Sequence, residues 1–254
     1  MDLAAHPELM LAILAAGALA GWVDSIAGGG GLIALPTLLL VGLDPLAALG
    51  TNKLQGTAGT LMAASNYARR GLLVRRRLPW LIAGSFLGAA AGTALVQQMD
   101  PGRVAAAIPV LLVAVALYFL LSPRISDLDS RPRLGRRAYA ASVAPAIGFY
   151  DGFFGPGTGS FFTLSAVSLL GGGIVQAVAL TKVLNLTSNL ASLGLFLAGG
   201  HVVWLAGGLM VAGQLAGSWL GSHMAMRSGA RLIRPLMVAV CIAMALRLLY
   251  ERLG

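Results

Sequence analysis

An all-α, polytopic integral membrane protein built from two homologous repeats is the fold class this sequence predicts. Three observations carry it: the composition, the spacing of the apolar runs and an internal repeat. Of the 254 residues, 57% are hydrophobic and 11% are charged, and the mean hydropathy is +0.83. A water-soluble domain needs a polar surface that this balance does not supply, so most of the surface must meet lipid.

A helix rises about 1.5 Å per residue, so a hydrocarbon layer of about 30 Å takes about 20 apolar residues to cross. Runs of that kind cover 9–27, 46–68, 78–97, 103–121, 138–154, 174–198, 202–224 and 232–249. Two shorter apolar pieces, 32–42 and 159–170, follow glycine clusters. About four spans per half are therefore expected, and the short pieces either cross or do not. The first run has no Lys or Arg ahead of it, so it reads as mature protein rather than a secretory signal. The single cysteine, Cys241, lies in the last run, which excludes a disulfide framework and a cysteine metal site. His6, His201 and His223 have no ligand-like spacing, so neither a metal nor a cofactor is expected.

The net charge is +9, which in a soluble protein would suggest nucleic acid. Here the arginines sit in short connections between apolar runs, without interleaved aromatics, and no nucleic-acid partner is expected. Arg69, Arg70, Arg75, Arg76 and Arg77 fill one connection, while Arg124, Arg131, Arg133, Arg136 and Arg137 fill the central one. By the positive-inside rule both are cytoplasmic. The chain then divides into a first membrane repeat, 1–121, a basic cytoplasmic linker, 122–137, and a second membrane repeat, 138–254. A homo-oligomer is compatible with this organisation.

The halves repeat each other. Gly21-Trp22-Val23-Asp24 returns as Gly148-Phe149-Tyr150-Asp151, and Gly28 and Gly30 return as Gly155 and Gly157, a shift of 127 residues. Beyond Gly171-Gly172-Gly173 the shift becomes 129, placing Lys53 on Lys182, Gly71 on Gly200, and Gly84, Gly88 and Gly92 on Gly213, Gly217 and Gly221. Glycine at every fourth position suits close helix packing in lipid better than substrate contact. If each half crosses an even number of times the repeats are parallel, with twelve of the sixteen arginines inside. If the short pieces also cross, the repeats are inverted and thirteen fall inside. Charge bias does not separate the two.

Charged residues inside apolar runs are expensive to bury and mark function by default. Asp24 and Asp151 precede the two glycine clusters, and Lys53 and Lys182, the only lysines, occupy matching places on the helices that follow. Lys53 lies about 10 Å along its helix, within reach of snorkelling, but an ammonium is also suited to gripping an anion. Asn52, Gln55, Thr57 and Thr60 lie beside Lys53, and Thr181, Asn185, Ser188 and Asn189 beside Lys182. Such polar groups either glue helices together or line a cavity. The aspartates fit an ion pair, a backbone cap or a coupling proton. Gly28-Gly29-Gly30-Gly31 and Gly155-Pro156-Gly157-Thr158-Gly159 should break their helices or make them re-entrant, exposing backbone groups and helix N-termini that favour an anion. No phosphate-loop Gly-Lys-Ser/Thr and no Ser/His/Asp set is present, so no enzyme is expected.

Gly21 to Gly31, Pro36, Gly50-Thr51-Asn52-Lys53, Arg70-Gly71 and the second-half run Gly148 to Gly159 resemble the TauE/SafE family of membrane permeases over nearly the whole chain. The resemblance implies a secondary transporter of a small sulfur-containing anion, such as sulfite, sulfoacetate or another organosulfonate, in the multi-pass setting of the bacterial inner membrane. It also implies a substrate site made by Thr51, Asn52 and Lys53, by Thr181 and Lys182, and by the glycine motifs at Gly29, Gly30, Gly157 and Thr158; helical spacing adds Asn185, and internal repeats place such a site at their interface. The second half has Leu180 where Thr51 stands, so the half-sites are not equivalent. An anion channel along the same path, or transport of a non-sulfur organic anion, are the alternatives.

Overall fold

The computed structural model describes residues 6–73, 78–121, 132–171 and 173–228. Every regular element among the described residues is helical: α1 (Pro7–Ala27), α2 (Gly31–Leu40), α3 (Pro45–Arg69), α4 (Leu78–Gln97), α5 (Pro101–Leu121), α6 (Arg136–Ala141), α7 (Val143–Phe153), α8 (Thr158–Ser165), α9 (Ile174–Ala198) and α10 (Trp204–Ser228). A π-helical turn, Ala166–Leu170, prolongs α8. The expected run 232–249 and residues 122–131 of the linker lie outside the described residues. The run 138–154 differs from the expected single helix, since α6 and α7 meet at Ser142.

The distribution of side chains is that of a membrane protein. Trp80 is 73% exposed and Leu40 70%, while Lys53 is 1% and Lys182 0% exposed. Large apolar side chains reach the outer surface while both lysines are enclosed. By length and composition α1 and α4 can each span a bilayer.

Local sequence fixes the helix ends. Pro45 opens α3 where its missing N–H is harmless, and the Asp44 side chain caps it by accepting from Ala47 N at 3.1 Å. Gly28 ends α1 in the left-handed region at φ 84°, with its N–H donating to Asp24 O at 2.8 Å.

Two seams of small residues bring backbones into contact. Gly213 and Gly217 of α10 abut Leu14 and Ala18 of α1, and Gly221 abuts Trp22. On the other seam, Gly88 and Gly92 of α4 abut Pro145 and Phe149 of α7. A side chain at these positions would run into backbone, so glycine at every fourth residue is what the packing requires.

The contacts also give helix directions. Along α1 and α10 they advance together, so the two run the same way. The same holds for α3 and α10, joined where Val203 N donates to Thr51 Oγ1 at 3.0 Å and Asn66 Nδ2 donates to Ser222 Oγ at 2.8 Å. Helices α4 and α7 agree with each other, and α4 agrees with α9, since contacts advance from Ser85 Oγ, which donates to Leu184 O at 2.9 Å, to Gln97 beside Gly199. The contacts of α3 with α9 run in reverse, from Gly50 on Phe196 to Gly56 on Asn189. Thus α1, α3 and α10 point one way, and α4, α7 and α9 the other.

Because α1 and α3 share a direction, the short α2 between them must lead back. Gly30 folds against Ala20 and Asp24 of α1, making the reversal at the glycine cluster. The second hairpin closes likewise, with the N–H groups of Arg133 and Leu134 both donating to Leu169 O at 2.9 Å. Each hairpin starts and finishes at one end of the bundle.

Candidate functional site

The tips of the hairpins meet in the interior. Gly28 packs on Gly159, Gly31 faces Pro156, and Ser160 Oγ donates to Ala27 O at 2.6 Å. Thr158 Oγ1 donates to Gly155 O at 2.7 Å and Tyr150 OH to Pro156 O at 2.5 Å, bracing the second break. Tyr67 OH donates to Ser25 O at 3.2 Å beside the first.

Both lysines end at these breaks, and each reaches across to the other half. Lys53 Nζ lies 2.8 Å from Asp151 Oδ1 and also donates to Asp151 O at 2.5 Å. Lys182 Nζ lies 3.2 Å from Asp24 Oδ2 and also donates to Asp24 O. Asp24 and Asp151 stand in the last turns of α1 and α7, where the helix dipole favours a cation. Each ammonium is thus held by a carboxylate and a helix C-terminus. Snorkelling is excluded for Lys53, whose head is enclosed.

A cavity lies between the breaks, lined by residues of both hairpins, α3, α9 and α10. Of the expected site residues, Asn52, Lys53, Asn185, Gly30, Gly157, Asp24 and Asp151 line it. Others have different work. Thr51 Oγ1 accepts from Val203 N, Thr163 Oγ1 donates to Thr181 Oγ1 at 3.2 Å, and Thr158 caps Gly155. Lys182 is tied to Asp24, which lines the wall, but neither it nor Gly29 is part of that wall.

Gln55, Thr60 and Asn189 join the lining, as their place beside the lysines suggested. Gln214 was not singled out from sequence. Its signal was present nonetheless: an amide between Gly213 and Gly217, followed at four-residue spacing by Ser218 and Ser222, inside an apolar run.

About 20 Å³ of the cavity is open to the centre of a water molecule, room for one such occupant. An occupant with several heavy atoms would need more room than this. The first turns of α2 and α8 contribute Gly31 and Gly159 to the lining, so two helix N-termini border the space.

A helical membrane protein with a charge-paired centre between two broken-helix hairpins is the class that fold and site define. The model of the sulfite exporter TauE/SafE family matches residues 13–248. A Sinorhizobium "probable membrane transporter protein ORF9" is 48% identical over 98% of this chain and 95% of its own length. A "probable membrane transporter protein" of Haemophilus influenzae is 43% identical over 96% of each chain, and the Escherichia coli "probable membrane transporter protein YfcA" is 40% identical over 98% of this chain and 92% of its own. The chain belongs to the sulfite exporter TauE/SafE family. No solved structure matches it significantly.

Proposed function

We propose that this chain is a secondary transporter that carries a small sulfur-containing anion, such as sulfite, sulfoacetate or another organosulfonate, across the inner membrane. The carrying observation is the crossed lysine pairing, which supplies two buried cations between the hairpins and holds each in reserve on an aspartate. An arriving anion competes with the carboxylates for the ammonium groups, and that competition couples occupancy to separation of the hairpins. The family and the names of the relatives support transport, and the family's name supports a sulfur oxyanion. Proteoliposomes given labelled sulfite, sulfoacetate or taurine should show saturable uptake of at least one, inhibited by the others. No flux of any of the three would sink the sulfur-anion reading.

The halves are, in this reading, inverted repeats. Helices matched by the sequence shift, α1 with α7, α3 with α9 and α4 with α10, point in opposite directions. Left-handed glycines fall in matched places at Gly28 with Gly155 and at Gly71 with Gly200, whereas Gly157 is left-handed and its match Gly30 is not. The loops at Gly42 and Asp100 then share one face, and those at Gly71 and Gly135 share the other, arginine-rich face. In a Cys241→Ala background, cysteine at Gly42 or Asp100 should react with an impermeant thiol reagent from outside the cell. Cysteine at Gly71 or Gly171 should react only after permeabilisation, and cysteine at Gly200 from outside; labelling of Gly71 and Gly200 from one side refutes the inversion.

A further inference from the structure

Three buried side-chain oxygens on the cavity residues have no hydrogen-bond partner: Gln55 Oε1, Asp151 Oδ2 and Gln214 Oε1. Gln55 and Asp151 are 2% exposed and Gln214 1%. The Gln55 amide donates from Nε2 to Asn52 Oδ1 at 2.7 Å, which leaves Oε1 free. An unpaired buried acceptor costs about 1–3 kcal/mol, so three around one small space call for an occupant.

The occupant must satisfy acceptors. Both lysines are already engaged by aspartates, so the closed cavity presents oxygen rather than positive charge. One water cannot serve three acceptors, since it has only two protons to donate. An oxyanion would add further acceptors. A cation bound by oxygen alone fits, and hard cations take carboxylate and amide oxygens. A single free carboxylate oxygen, with Lys53 already on its twin, matches one positive charge better than two. Among the described residues no group of three or more His, Cys, Asp or Glu could hold a metal ion, which disfavours a transition metal. Asp151 also stands in the last turn of α7, and the C-terminal end of a broken membrane helix is a favoured place for a sodium ion.

The set belongs to one half of the cavity only. In the repeat register Gln55 falls on Leu184 and Gln214 falls on Ser85, so neither amide has a counterpart. Such asymmetry is expected of a co-ion site and not of packing shared by both repeats.

We propose that Asp151 Oδ2, Gln55 Oε1 and Gln214 Oε1 form a sodium site that is coupled to the anion through Lys53. Sodium on Oδ2 neutralises Asp151 and loosens its hold on Lys53, whose ammonium then turns to the anion. By linkage, bound anion raises sodium affinity by the same factor. The coupling rests on the transporter reading, whereas the sodium site does not.

Thermal denaturation of the purified full chain, without any sulfur anion and with choline chloride exchanged for sodium chloride at constant ionic strength, tests the site. Sodium should raise the midpoint saturably and potassium should not. Gln55→Leu and Gln214→Leu, which remove unpaired oxygens and keep the charges, should each weaken apparent sodium affinity at least about ten-fold. Equilibrium binding of radiolabelled sodium to the unaltered protein is the second readout. An unchanged sodium response in both variants, or no sodium binding with a midpoint that follows pH alone, overturns the proposal, the latter in favour of a proton. Sodium binding alongside absent flux of sulfite, sulfoacetate and taurine would uphold the site and fail the cargo.

Discussion

Lys53→Ala is expected to lower stability by about 3–5 kcal/mol, because it leaves the Asp151 carboxylate buried without its cation. Lys182→Ala should cost less, since the Asp24 side chain is 9% exposed against 2% for Asp151, and its pair is longer at 3.2 Å against 2.8 Å. Thermal midpoints of the purified variants measure both. The double variant Lys53→Met, Asp151→Leu separates structure from transport. Replacing a whole buried pair by apolar groups is often neutral or stabilising, so the midpoint should return to near that of the parent. Uptake in proteoliposomes should nevertheless stay lost, because no ammonium remains on that side of the cavity. Wild-type flux from a stable double variant would show that the pair only holds the bundle together.

Gly28→Ala is the second large effect. The residue sits at φ 84°, where a side chain costs about 1–2 kcal/mol. Its Cβ would also lie 2.5 Å from Gly159 Cα, on a partner that is backbone and cannot turn aside. Overpacking of this kind adds about 1–3 kcal/mol. Gly42→Ala is the control, for Gly42 has φ 86° but nothing within 4 Å of its missing Cβ. It should cost only the backbone part. Equal losses in the two variants would mean that contact between the hairpin tips contributes nothing, and fluorescence-detected size exclusion after heating reads both.

Much of this was legible in the sequence. The glycine clusters announced the breaks because glycine and proline cannot continue a helix there, and the shift of 127 to 129 residues matched Asp24 to Asp151 and Lys53 to Lys182. What the shift could not give was the partner of each charge. Periodicity locates a residue along its own helix but carries no information on which helices touch, so the pairing of Lys53 with Asp151 rather than Asp24 needed the fold. The same limit hid the direction of α2, since a short apolar run does not show which way it points. It also hid Gln214, since a polar residue within a glycine ladder looks like a packing position until the neighbouring helix is seen.

The crossed pairs bear on how the chain can be divided. Asp24 and Lys53 lie before residue 121, and the counter-charges of both lie beyond it. A cut in the linker would leave each fragment with a buried aspartate and a buried lysine unmatched, so each fragment depends on the other for its charge balance.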